Sequence, residues 1–263
     1  MLKMILGLAP ILLAAGPALA DLAEQKQQAL AGVVARAKLA QEINDSLFSF
    51  SELGYQEMET QRYLTAILAA NGFTIERGLA GMPSAWTARW TQGSGGPVIA
   101  LGSDIDCIPK ASQKPGIPWH EPLIEGAPGH GEGHNSGQAV NIVAALAVQE
   151  IMRRSKVPGT LLLWPGVGEE LLAGKAYMVR EGLFKGVDAV LFTHVSDTLT
   201  VSWGAPQAGT GMVSIEYTFR GESSHSAVAP WRGRSALDAV ELMNMGWNMR
   251  REHLRPEQRS HYV

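Results

Sequence analysis

The chain has 263 residues, 46% of them hydrophobic and 18% charged, a globular composition that excludes low-complexity, collagen-like and disordered readings. Lys plus Arg total 22 against 25 Asp plus Glu, a formal charge of −3, and no basic stripe suits a phosphate backbone, so nucleic acid is excluded as a partner. The single cysteine, Cys107, excludes an internal disulfide.

At the N-terminus, Lys3 precedes an apolar run over residues 5–13 that is too short to span a bilayer, and the run ends in the small-x-small sequence Ala18-Leu19-Ala20. This pattern predicts an export signal over residues 1–20, cleaved after Ala20, which leaves no membrane segment after cleavage and places the mature chain in the periplasm; an uncleaved N-terminal membrane anchor is the competing reading. Residues 22–50 form a long amphipathic helical stretch, and a second helix over 58–70 ends at Asn71-Gly72. Short apolar segments over 85–90 and 98–103, separated by Gly93-Ser94-Gly95-Gly96-Pro97, predict two strands, the second running into Asp104 and Asp106. A helix over 135–154, a strand over 160–164, a helix over 174–181 and a strand over 189–193 follow. The order β, α, β, α, β predicts a layered α/β domain. After Gly204 the pattern changes to an alternating strand over 212–219, a polar turn holding His225 and a helix over 234–254, which reads as the start of a second domain. The chain thus divides into a leader (1–20), a layered α/β domain (21–205) and the first part of a second domain (206–263).

Several residues of this plan carry chemistry. Asp104 and Asp106 fall at the C-terminal end of a buried strand, where open α/β sheets place their ligands, and two carboxylates there are costly without a cation. His130, Glu132 and His134 lie in the loop Gly129-His130-Gly131-Glu132-Gly133-His134-Asn135, whose glycines let the backbone turn so that several side chains face one point. Glu169 and Glu170 follow one strand and His194 ends another. Imidazole and carboxylate donors without thiolate suit Zn, Mn or Co, and a pair of ions about 3.5 to 4 Å apart needs a bridging carboxylate. Blander readings compete: Glu169 and Glu170 as a solvated helix start, His120 and His130 as surface or supporting residues, Cys107 as a small hydrophobe, and Trp86, Trp90, Trp164, Trp203 and Trp231 as packing. The glycine run is not a dinucleotide fingerprint, since His134 stands where a third spaced glycine belongs, and no Gly-x-Ser-x-Gly elbow marks a serine hydrolase.

Taken together, these motifs resemble the M20 family of metallopeptidases and amidohydrolases. The similarity runs through Ser51-Glu52-Leu53-Gly54-Tyr55-Gln56-Glu57, Ser103-Asp104-Ile105-Asp106-Cys107-Ile108-Pro109, the 129–135 loop, Gly168-Glu169-Glu170, Thr193-His194-Val195, Ser224-His225-Ser226 and residues 233–240. The Gly-His-Gly-x-Gly-His-Asn form of the loop is similar to the aminobenzoyl-glutamate utilization protein B branch. The resemblance implies a three-layer α/β catalytic domain of zinc-aminopeptidase type with a mixed sheet, then the start of a ferredoxin-like α+β lid that pairs two subunits as a homodimer. It implies a metal-dependent amidohydrolase acting on an N-acyl amino acid, aminobenzoyl-glutamate or a small peptide, with Glu132, His134, Glu170 and His194 holding two divalent ions. Glu169 becomes the general base, Asp106 the residue that orients a ligand, and His225 an oxyanion stabiliser reaching across the dimer. Glu132 stands where the amidohydrolase branch carries a cysteine ligand, and Val263 falls inside the expected lid, ahead of the returning segment that supplies a further His ligand in the family. A truncated arrangement is therefore expected, with a non-catalytic exported ligand-binding or dimerisation remnant as the alternative.

Overall fold

A computed structural model describes residues 17–171, 174–204 and 211–263, which fall into two compact units dividing between Ser202 and Trp203. In the first unit, helices α1 (Pro17–Val34), α2 (Ala37–Phe50) and α3 (Met58–Ala70) precede strands β1 (Thr74–Arg77), β2 (Trp86–Gln92) and β3 (Val98–Asp104). Helix α4 (His134–Ser155), strand β4 (Gly159–Gly166), helix α5 (Gly174–Arg180) and strand β5 (Ala189–Phe192) complete it. The strands form one mixed sheet of order β1-β2-β4-β3-β5, in which β2 runs antiparallel to β1 and β4 while β3 runs parallel to β4 and β5. The expected α/β class with a mixed sheet is the one observed.

Parallel pairing requires crossovers, and α4 and α5 supply them from β3 to β4 and from β4 to β5. β4 is buried along its whole length, which is why its sequence reads as a continuous apolar run and does not alternate. Register sets Asp104 opposite Gly166 and Gly102 opposite Phe192. The chain segments that follow β3, β4 and β5 therefore leave the same edge of the sheet side by side. Helix α4 is fastened beneath that edge by polar groups turned inward: buried Gln138 donates from Nε2 to the carbonyls of Ser103 (3.3 Å) and Trp164 (2.9 Å). Trp86, Leu163, Ile142, Leu64 and Leu68 are fully buried in the core, and Gly102 leaves the space that the Trp164 ring fills, at 2.2 Å from where a Cβ would stand.

The structure departs from the sequence reading in four places. The stretch 22–50 is two helices, because Arg36 leaves the helical path (φ −103°, ψ 13°), donates from Nη1 to the Gly32 carbonyl (2.8 Å) and pairs through Nη2 with Glu150 of α4 (3.0 Å). β1 was not expected; it is a four-residue, mostly exposed edge strand, too short to show a period. In the second unit the expected strand over 212–219 does not form. Its alternation is present in the sequence, but the segment has no ladder partner among the described residues, and Met212, Val213, Ile215 and Tyr217 are exposed. Trp203 and Trp231, read as packing residues, are 91% and 77% exposed. The second unit does form helix α6 (Ala236–Arg251), capped by Ser235 Oγ, which accepts from the Asp238 N–H at 3.1 Å. The expected leader lies outside the described residues except for 17–20, which begin α1; no helix among the described residues is long and apolar enough to cross a membrane.

Gly137 sits on α4 where a Cβ would lie 2.4 Å from Ser103 Cβ, whereas a Cβ at Gly246 of α6 would meet nothing within 4 Å. In open space Gly→Ala favours a helix by about 1 kcal/mol, while overpacking costs about 1–3 kcal/mol. Gly137→Ala is therefore expected to lower the denaturant midpoint and Gly246→Ala to raise the helicity of α6, measured by urea titration and circular dichroism.

Candidate metal centre

The common edge of β3, β4 and β5 delivers the candidate donors. Asp106 follows β3, Glu169 and Glu170 follow β4, His194 follows β5, and the glycine loop ends at His134, the first residue of α4. Gly133 precedes that helix in a left-handed conformation (φ 72°), and a Cβ there would sit 2.8 Å from Val195, so this position needs glycine twice over. Glu132, His134, Glu169 and Glu170 each offer a ligand atom within 4.8 Å of the others, and so do Asp104, His134 and His194.

Hydrogen bonds fix the histidine tautomers. His134 Nδ1 lies 3.0 Å from the Asp106 carbonyl and His194 Nδ1 lies 2.8 Å from the Val195 carbonyl. Carbonyls only accept, so each Nδ1 carries a proton. The two Nε2 atoms then face one another at 3.1 Å, with the rings edge to face at 5.1 Å between centroids. Two lone pairs at that distance repel unless a proton or a cation lies between them. Burial lowers the His134 pKa, but hydrogen bonds and negative charge from Asp106 and Asp104 outweigh it and raise the value to about 9. With no ion bound, His134 is an imidazolium that donates from Nε2 to His194.

The carboxylates around this pair fit a divalent cation. Glu132 Oε2 lies 3.9 Å from His134 Nε2 and 4.0 Å from His194 Nε2, on a half-exposed side chain free to close the difference. Donors around a tetrahedral ion with bonds of 2.0–2.1 Å stand about 3.3 Å apart, close to the spacing seen. Glu170 Oε1, 4.0 Å from His134 Nδ1, and Asp106 Oδ1 are buried acceptors with no hydrogen-bond partner among the described residues. Burial raises the Glu170 pKa, and the charge of Glu132 adds to the rise. The distances bring Glu132 Oε2 to the two facing Nε2 atoms, while Glu170 Oε1 and Asp106 Oδ1 lie nearest His134 Nδ1.

Residues without an assigned role in the sequence reading support this centre. The cation expected beside the Asp104 and Asp106 pair is, for Asp104, a protein group: Lys175 Nζ of α5 lies 2.6 Å from Asp104 Oδ1 and 4.7 Å from the centre of the Phe192 ring. Asp106 works through three atoms, its carbonyl and Oδ1 (3.5 Å) facing His134 Nδ1 while Oδ2 accepts from the Glu170 N–H at 2.9 Å. His130 is half-buried and donates from Nε2 to the Leu47 carbonyl at the end of α2 (3.0 Å); burial lowers its pKa to about 4. His120 is exposed. Cys107 is fully buried, and burial pushes its thiol up to about 12, so it packs as a hydrophobe. His225 belongs to the second unit, where it is exposed and accepts the Ala227 N–H at Nδ1 (3.2 Å). Lys175 was legible only as a basic residue in a helix, since nothing in the local sequence ties it to a strand 71 positions earlier.

No protein-family model matches the chain. It is 34% identical over 230 residues to a subunit of the p-aminobenzoyl-glutamate hydrolase of Escherichia coli K12, covering 84% of this chain and 45% of that protein. It is 27% identical over 192 residues to the N-acetyl-L-cysteine deacetylase of Bacillus subtilis, covering 71% and 44%. Among solved structures it is similar to the YXEP protein of Bacillus subtilis, a dinuclear metal binding peptidase from the M20 family, with TM-score 0.53 and 25% identity over 64% of this chain and 45% of that one. The fold and site form an α/β scaffold whose strand ends gather carboxylate and imidazole groups. These similarities place the chain with the M20 metallopeptidases and amidohydrolases, and it spans about half the length of the curated relatives it matches.

Because His134 binds an ion only after losing its proton, Zn²⁺ or Mn²⁺ affinity is expected to rise about tenfold per pH unit between pH 6 and 8 and to level off near the His134 value of about 9. Calorimetric titration in buffers of different ionisation enthalpy checks this, with close to one proton released at neutral pH. In the ion-free chain the sign is opposite: the His134 contribution to stability is complete below the ordinary histidine range and is lost as pH rises toward 9.

Proposed function

We propose that the chain is the metal-binding part of an amidohydrolase that cleaves the amide bond of an N-acyl amino acid, aminobenzoyl-glutamate or a small peptide. The observation that carries this reading is the convergence of His134 Nε2, His194 Nε2 and Glu132 Oε2 next to the Glu169-Glu170 turn. The activity named for the Escherichia coli relative supports the aminobenzoyl-glutamate option.

Glu132, His134, Glu170 and His194 would hold the metal, taken as two ions per site of Zn, Mn or Co. When bound, such ions polarise the scissile carbonyl and acidify water. Asp106 fixes the His134 tautomer through its carbonyl, so that Nε2 and not Nδ1 presents the lone pair. Glu169, part-exposed beside these donors, takes the proton of the attacking water and returns it to the departing amine. His225 serves as an oxyanion donor at the partner's site in a homodimer built through the second unit; its Nδ1 accepts the Ala227 N–H, which leaves Nε2 as its donor. The sequence of residues 1–20 supports export to the periplasm.

Glu169→Gln is expected to lower turnover of aminobenzoyl-glutamate by about 10²–10⁴-fold while bound metal, measured by elemental analysis, stays unchanged. Loss of metal together with activity would instead make Glu169 a ligand, and full retention of turnover would remove it from the reaction.

A further inference from the structure

Glu57 is a fully buried carboxylate that the reaction scheme does not use. It stands at the N-cap of α3, where a carboxylate ordinarily caps its own helix and meets the positive end of the dipole. Its side chain makes no such bond. Glu52 caps α3 in its place, accepting from the N–H groups of Glu59 and Thr60 at 2.9 Å each. Glu57 is thereby turned inward, where Oε2 accepts from the buried Ser84 hydroxyl (2.5 Å) and Oε1 accepts from the Gly168 N–H (2.8 Å). Burial disfavours its charged form and raises its pKa, so the arrangement carries a cost that a surface cap would not.

Gly168 immediately precedes Glu169. Its backbone is left-handed (φ 58°), and a Cβ there would lie 2.4 Å from the Tyr55 ring. Gly54 closes from the other side: a Cβ on it would be 2.8 Å from Gly168 Cα and 3.1 Å from Asp106 Oδ2. The Glu169-Glu170 turn is thus gripped at alternate peptides by two carboxylates, Glu57 on the N–H of Gly168 and Asp106 on the N–H of Glu170. Asp106 holds the turn from the metal side and Glu57 holds it from the core. We infer that Glu57 is a positioning residue for the base: by accepting the Gly168 N–H it fixes where the Glu169 carboxylate stands, and the Ser51–Glu57 segment serves as the cradle of that turn. This rests on the reading of Glu169 as the base.

The test separates acceptor geometry from charge. Glu57→Asp keeps the charge but withdraws the oxygen by one methylene, whereas Glu57→Gln loses the charge and keeps an oxygen for Gly168 and a donor for Ser84. Expected for Glu57→Asp is a kcat lower by about 10- to 100-fold with KM and metal content unchanged, and amide exchange at Gly168 faster by about tenfold. Glu57→Gln is expected to restore both. Ser84→Ala is the structural control, lowering thermal stability without changing Gly168 exchange. The opposite order, with the Asp variant active and the Gln variant impaired, or Gly168 exchange unchanged in Glu57→Asp, overturns the inference. Absence of turnover in the unsubstituted, metal-loaded chain counts against the amidohydrolase reading alone, because the exchange measurement still decides whether Glu57 holds the turn.

Discussion

Two imidazole nitrogens, His134 Nε2 and His194 Nε2, are held 3.1 Å apart with both Nδ1 protons committed to carbonyls, and much of the first unit serves to hold that confrontation in place. His134 cannot retreat because it opens α4, and α4 is tied by Gln138 to the carbonyls of β3 and β4. His194 cannot retreat because the Thr193 N–H donates to the Gly102 carbonyl (2.9 Å) and the Thr193 hydroxyl donates to Asn141 Oδ1 of α4 (2.8 Å). The repulsion is relieved by a positive charge and by little else. A proton supplies it in the ion-free chain.

Charge balance around the pair follows a simple division. Asp104 is neutralised inside the protein by Lys175, which also lies over Phe192, so it is not left seeking an external cation. Asp106 commits its carbonyl and one oxygen to hydrogen bonds, while Oδ1 is buried without a hydrogen bond among the described residues and faces His134 Nδ1 at 3.5 Å. Glu170 Oε1 is likewise buried without one, while Glu132 is half-exposed and free to swing. Of the candidate donors, Glu170 and His194 follow strand ends, His134 opens α4 and the half-exposed Glu132 comes from the glycine loop. All of these donors are oxygen or nitrogen, since the one thiol is buried as a hydrophobe.

What the sequence made legible follows from where the causes lie. Strands β2 to β5 and helices α3 to α6 could be read because hydrophobic period and Gly or Pro punctuation are local properties. The clustering of Glu132, His134, Glu169, Glu170 and His194 could be anticipated because strand C-termini and a glycine-rich loop are recognisable places for ligands. The break at Arg36 was not legible, since it depends on Glu150, 114 positions away, and the strand expected over 212–219 failed because alternation describes a face and not a partner. Lys175 and Glu57 escaped notice for the same reason: their partners, Asp104 and Gly168, are joined to them only by the fold.

The cradle of residues 51–57 shows how those long-range causes combine. Glu52 takes over the cap of α3, its carbonyl accepts the Cys107 N–H (2.9 Å), and Leu53 bridges to Cys107 in parallel, so the segment is locked to the chain just beyond Asp106. Gly54 lets that chain come within reach of Gly168, and Glu57 completes the attachment. One short segment therefore links the strand end that carries Asp106 to the turn that carries Glu169 and Glu170. A shift of either would be felt by the other, which makes the separation between Asp106 and the Glu169-Glu170 turn a property of the fold and not of either loop alone.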